Sequence, residues 1–138
     1  MVVNRHKIRI EWGDCDPAGI VYYPRYFEYF DTCTAALFES AGLPKRTLFE
    51  TYGIAGIPMV DTRANFIAPS TFGDDVIVES TITGFGKSSF TVHHKLFKGE
   101  VLAAEGFEKR VWTVRLPGEP YRIHAQAIPK EIIDKLSA

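Results

Sequence analysis

The amino-acid sequence predicts an α+β fold in which an antiparallel β-sheet wraps around one central α-helix. Three observations carry that prediction. One long helical pattern lies between Pro24 and Gly42, and four strand-like runs follow it at residues 57–67, 75–85, 88–97 and 101–116. The last three runs are joined by short turns, Gly84-Phe85-Gly86 and Lys98-Gly99-Glu100, which suit an antiparallel meander. Finally, the order strand, helix, then consecutive strands fits no parallel βαβ scheme.

Residues 6–12 (His-Lys-Ile-Arg-Ile-Glu-Trp) alternate, which puts Ile8, Ile10 and Trp12 on one face of a short half-buried strand. The helix begins where Pro24 suits its first turn and stops at Gly42 and Pro44. At about 100° per residue, Phe27, Phe30, Thr34, Leu37, Phe38 and Ala41 form an apolar arc, with Glu28, Thr32, Glu39 and Ser40 on other sides. Asp31 lies at the edge of that arc, where a carboxylate must reach water, find a partner or face a cavity. A short helical stretch at residues 45–52 closes at Gly53, and Gly73-Asp74-Asp75 turns the chain into the meander. Pro129 opens a last helix at residues 130–136.

With 138 residues, 46% of them hydrophobic, the chain is expected to form a single domain, residues 1–138. A net charge of −1 with interspersed signs argues against a nucleic-acid partner, which would want a basic face. No apolar run approaches the roughly 20 residues of a bilayer span, so no membrane partner is expected. The amino-terminal residues lack an apolar signal core, and a cytoplasmic location is the expectation. In that reducing setting Cys15 and Cys33 are expected as free thiols.

The segment Gly13-Asp14-Cys15-Asp16-Pro17-Ala18-Gly19-Ile20-Val21-Tyr22-Tyr23-Pro24 concentrates the chemistry. It sets two carboxylates and a thiol on a turn that opens into the helix. A carboxylate can act as base or nucleophile, and the unpaired N–H groups of a helix start can hold a developing oxyanion. Asp14, Cys15 and Asp16 all remain candidates on these grounds. Gly86-Lys87-Ser88 is not a P-loop, because Thr81 stands where its first glycine is required. His6, His93, His94 and His124 lack metal-ligand spacing, so no metal is expected, and His93 and His94 should point to opposite faces of their strand.

The run from Gly13 through Asp31 closely resembles the opening motif of the 4-hydroxybenzoyl-CoA thioesterase family, of the Pseudomonas type. Gly53-Ile54-Ala55-Gly56-Ile57-Pro58, Asp74-Asp75-Val76 and, more loosely, Lys87-Ser88-Ser89-Phe90 extend the likeness over nearly the whole chain. The resemblance implies a hotdog fold, assembly as a homodimer or homotetramer with active sites at the dimer interface, and no cofactor beyond the CoA of the substrate. It implies hydrolysis of an acyl-CoA thioester, with Asp16 as nucleophile or general base and the Tyr23 backbone N–H as the oxyanion donor. Asp31 would help to select the acyl group, favouring an aryl-CoA such as 4-hydroxybenzoyl-CoA. Lys87, Ser88, Ser89, Arg122 and His124 would lie along the nucleotide end of CoA. Gly86 and Ser88 stand where the family has basic residues and His124 where it has an arginine, which thins that phosphate clamp. The competing expectations are an aliphatic acyl-CoA thioesterase, a non-catalytic acyl-thioester binder, and a thioesterase for acyl carrier protein. A carrier would call for a basic docking rim, of which the sequence gives little sign.

Overall fold

Alternation in three long strands builds the centre of the sheet. The structure is a computed structural model describing residues Met1–Ala138. In β3 (Asp75–Phe85), Val76, Val78, Ser80 and Ile82 turn inward, and in β4 (Ser89–Lys98) Phe90, Val92, His94 and Leu96 do so. β5 (Val101–Val111) buries Ala104, Gly106, Glu108 and Arg110 on the same face. β1 (Val3–Arg9) and β2 (Met59–Phe66) flank the meander, giving an antiparallel order β1-β3-β4-β5-β2. The helix α1 (Pro24–Ser40) lies across the inward face, and α2 (Lys45–Glu50) and α3 (Lys130–Ser137) close the ends.

Three expectations shift in detail. The first strand ends at Arg9 rather than at Trp12, because Ile10 bonds Asp74 and Gly73 through its backbone and the chain then enters a 3₁₀ turn at Trp12–Asp14. Ile8 and Ile10 turn inward as expected, but Trp12 is 76% exposed and meets only the edge of Phe72. The buried stripe of α1 is rotated by about one residue. Tyr26, Tyr29, Phe30, Cys33, Thr34, Leu37 and Phe38 are buried, whereas Phe27 is half-buried against Phe66. The run at residues 101–116 breaks at Trp112, whose buried ring and N–H bond to Ser88 turn the chain out of β5. Beyond the break, β6 (Thr113–Val114) pairs with β7 (His124–Ala125).

A close approach between helix and sheet requires Gly106. A Cβ there would stand 2.4 Å from the Phe30 ring, and that ring stacks on His94 at 4.9 Å between centroids. Two apolar clusters result along α1. One gathers Ile10, Val21, Phe30, Cys33, Val76 and Leu96 under the first half of the helix. The other gathers Leu37, Phe38, Ile82, Phe90 and Trp112 under the second. Full burial of each Leu or Phe stabilises the fold by about 2 kcal/mol. Between the clusters runs a buried polar belt of Thr34, Ser80, His94, Glu108 and Arg110.

Candidate active site

The junction from Asp14 to Tyr26 is built by its own backbone. Cys15 bridges Val21, Tyr22 N–H donates to the Asp14 carbonyl at 2.8 Å, and Gly19, at φ +82°, closes the loop between them. That pairing fixes Asp16 on a tight loop immediately before the helix. Ahead of it, the Asp14 carboxylate accepts the Glu11 N–H at 3.0 Å and lies 3.8 Å from Arg25. Asp14 is therefore engaged in shaping the turn. Cys15 is half-buried and its Sγ sits 3.8 Å from the Glu11 carbonyl, with no histidine bonded to it, while Cys33 is fully buried and its thiol is pushed up to about 12 by burial and by Glu108. Both are free thiols. Asp16 makes a matching turn bond, its Oδ1 accepting the Ala18 N–H at 2.9 Å, but unlike Asp14 it has no arginine beside it.

The helix start offers one donor. Pro24 has no N–H; Arg25 N–H donates to the Tyr22 carbonyl at 2.9 Å and Tyr26 N–H to the Tyr23 carbonyl at 3.1 Å. Only the Tyr23 N–H is left without an acceptor, at the positive end of a 17-residue helix. A half-buried carboxylate with a free oxygen thus stands seven residues before a free amide, across a paired loop.

A second feature lies farther along α1. A cavity of about 420 Å³ is lined by Asp31, Thr34 and Phe38 of the helix, by the 54–58 segment, and by Arg110 and Thr113. Asp31 both faces this cavity and has a partner: its Oδ1 accepts Arg110 Nη2 at 2.7 Å, while its side chain remains 60% exposed. Behind the cavity, Glu108 receives Arg110 Nε at 2.9 Å, Arg110 Nη2 at 3.1 Å and the Thr34 hydroxyl at 2.5 Å. His94 Nε2 is 3.3 Å from Glu108, and its Nδ1 is 2.7 Å from Ser80 Oγ. Burial alone would raise the Glu108 pKa, but the bonds from His94 and Arg110 outweigh it and hold the carboxyl at about 2.

The proposed CoA-contacting residues gather at the same end as the cavity. The Ser88 carbonyl accepts Trp112 N–H, the Lys87 carbonyl accepts Ile128 N–H, and His124 sits in β7 opposite Val114. Lys87 is exposed and makes no ion pair, and Ser89 opens β4. Arg122 and His124 are both held by Glu119, at 3.2 and 2.8 Å. The Asp16 turn lies at the opposite end, beside the start of β3 through the Ile20–Thr71 bridge. Eleven residues of β3 separate the two ends, about 33 Å at the usual strand rise. One chain therefore sets Asp16 and Tyr23 on one paired loop and Lys87, Ser88, Arg122 and His124 at the other end of the sheet, and does not bring the two groups to one place.

Residues 10–136 match the family described as the thioesterase-like superfamily. The chain belongs to that superfamily. It is 35% identical to 4-hydroxybenzoyl-CoA thioesterase of Pseudomonas sp. strain CBS-3 over 136 residues, 94% of each chain. A solved structure of that enzyme superposes with a TM-score of 0.88 at 30% identity, covering 98% of this chain and 99% of the other. A gentisyl-coenzyme A thioesterase superposes with a TM-score of 0.83, also at 30% identity, over 98% of this chain and all of that one. The fold is thus the hotdog fold of these enzymes, and the protein is a thioester hydrolase.

The buried residues His94, Glu108 and Arg110 escaped sequence reasoning. A signal was present: in β5 the inward set Ala104, Gly106, Glu108, Arg110 places two charges on the face meant for the core.

Proposed function

We propose that this thioesterase hydrolyses an aryl-CoA thioester carrying a polar ring substituent, with 4-hydroxybenzoyl-CoA as the reference substrate, to the free acid and CoA. The observation that carries the proposal is the free N–H of Tyr23 at the helix start, on the same paired loop that presents the unbonded Oδ2 of Asp16. Asp16 attacks the thioester carbonyl carbon, and the carbonyl oxygen takes up negative charge at the Tyr23 N–H. The C–S bond then breaks and CoA leaves as thiolate, a leaving group that needs no proton in the same step. Water hydrolyses the resulting mixed anhydride and regenerates the carboxylate. The protein's own residues supply all of this chemistry, without a cofactor.

A second copy of the chain completes the site in this reading. The strand β2 pairs only with β5 and leaves its other edge open, with Met59, Val60 and Phe66 exposed. Beside it, an apolar groove of about 390 Å³ runs along Ile20, Tyr23, Tyr26 and Phe66, against the catalytic turn. Pairing two such surfaces in a homodimer, itself able to double into a tetramer, covers both. It also sets one copy's Asp16 turn near the other copy's cavity, Lys87 and Arg122. The substrate's acyl group then occupies the Asp31 cavity and its nucleotide reaches the hairpin. No helix is long and apolar enough to cross a membrane, and the near-neutral surface suits a small substrate rather than nucleic acid; a cytoplasmic setting fits both.

The decisive experiment is Asp16→Asn. It is expected to remove at least a thousandfold of kcat while leaving affinity for the thioester nearly intact. Hydrolysis at near the wild-type rate by this variant refutes the mechanism.

A further inference from the structure

We infer that Arg110 is a specificity-determining residue of the acyl cavity, forming with Asp31 a donor–acceptor pair that recognises a neutral hydroxyl on the acyl group. The inference rests on the thioesterase reading above and names the second half of its recognition.

The argument is an accounting of hydrogens. A guanidinium carries five N–H donors in a rigid fork. Arg110 spends one on Glu108 Oε1 through Nε, two through Nη2 on Glu108 Oε2 and Asp31 Oδ1, and one through Nη1 on the Ile57 carbonyl. The fifth, on Nη1, has no acceptor, although the side chain is only 7% exposed and lines the cavity. A donor so far removed from water is costly to leave unmade and rewards a ligand that satisfies it. Asp31 mirrors it, with Oδ1 committed to Arg110 and Oδ2 accepting nothing.

The guanidinium fork is fixed in place. Glu108, nearly inaccessible between Thr34, His94 and Arg110, clamps the fork from behind, and the Ile57 carbonyl holds its side. What remains in the cavity is one donor and one acceptor attached to the same ion pair. A hydroxyl satisfies both, because it donates to the carboxylate and accepts from the guanidinium. An aromatic amine donates well but accepts poorly, a methoxy group only accepts, and a carboxylate substituent meets the charge of Asp31. Had Asp31 been the sole determinant, hydroxyl and amine would serve alike. Arg110 is what separates them.

The test compares kcat/KM for 3- and 4-hydroxybenzoyl-CoA with the corresponding amino- and methoxybenzoyl thioesters. The better hydroxyl isomer should exceed its amino and methoxy counterparts by about tenfold in the wild-type protein, the effect of one charge-assisted hydrogen bond. Arg110→Lys keeps a cation opposite both carboxylates but loses the fork, and should bring that ratio to within about twofold. The double variant Glu108→Met/Arg110→Met removes the buried pair as a unit, guards against an orphaned charge, and should show the same loss. An unchanged ratio in either folded variant overturns the inference. Titration of the matching free benzoic acids, followed by ligand-observed NMR, reads the cavity without turnover. If no aryl thioester is cleaved, the hydrolase reading fails on its own. A hydroxyl preference among the acids that vanishes in Arg110→Lys then supports the role of Arg110, and equal binding of hydroxy and amino acids to the wild-type protein refutes it.

Discussion

Replacing Glu108 by Gln removes one charge from the centre of the buried belt while keeping its volume. In the native protein this carboxylate accepts from Thr34 and twice from Arg110, and lies 3.3 Å from His94. Its pKa is about 2 against an ordinary 4.5. A depression of that size corresponds to stability on the order of 3 kcal/mol. The sign follows from linkage: a carboxyl whose folded pKa is depressed stabilises the fold fully above its unfolded value, and the contribution is lost as pH falls from about 4.5 towards 2. Glu108→Gln should therefore lose about 3 kcal/mol at pH 7, within the range for breaking a buried ion pair. The gap should narrow below pH 4.5, where the native protein surrenders the same contribution and the variant has none to lose. The groups facing Glu108 are His94 from β4, Cys33 and Thr34 from α1, and Arg110 on its own strand. Urea unfolding measured by circular dichroism from pH 7 down to pH 3, at one fixed protein concentration, gives the comparison. Equal stabilities at pH 7, or a gap that stays constant across the series, refutes the assignment of Glu108 as an ionised, paired group.

Gly106→Ala places a methyl group 2.4 Å from the Phe30 ring, which cannot retreat without leaving His94. A cost of about 2 kcal/mol is expected, and with it a fall in melting temperature of roughly 5 °C by calorimetry; an unchanged or raised value would show that α1 is free to lift. Glu119→Gln releases both Arg122 and His124 from their shared acid. Affinity for CoA should rise about threefold at low salt and lose that gain at high salt, as isothermal titration would show. No change would mean that neither residue meets the nucleotide.

Much of the fold was legible because burial here follows simple periods. The alternation in residues 75–85 and the stop signals at Gly42 and Pro44 had little competition, and both elements stand where expected. The exceptions have local causes. Trp12 fits the strand pattern by position, but the backbone bonds of Ile10 end the strand first. The helix stripe lies one residue from the position its Phe and Leu spacing predicts, because Tyr26 and Tyr29 count as amphipathic in sequence and are buried in the fold. At the site, residue chemistry leaves Asp14 and Asp16 level and only the resemblance favours Asp16; in the structure each acid accepts one backbone N–H of the turn, and the arginine 3.8 Å from Asp14 is what sets them apart. Asp31 was legible as misplaced, and it takes all three outlets open to such a carboxylate, since it is paired with an arginine, lines a cavity and keeps much of its side chain in water. Its partner could not be foreseen, 79 residues away on a strand that pairing alone brings under the helix.

The proposed oxyanion donor at Tyr23 has an unusual genetic property. It is a main-chain group, isolated by the missing hydrogen of Pro24 and by the bonds of Arg25 and Tyr26. Nineteen of the twenty amino acids would present the same N–H, so substitutions at position 23 other than proline can reshape the surroundings but cannot delete the donor. Proline at 23, or a backbone ester installed by semisynthesis, are the changes that can. The chemical identity of this site is thus written less in the tyrosine than in the proline beside it, which deletes the rival donor. A survey of variants by side chain alone would overlook half of the proposed catalytic apparatus.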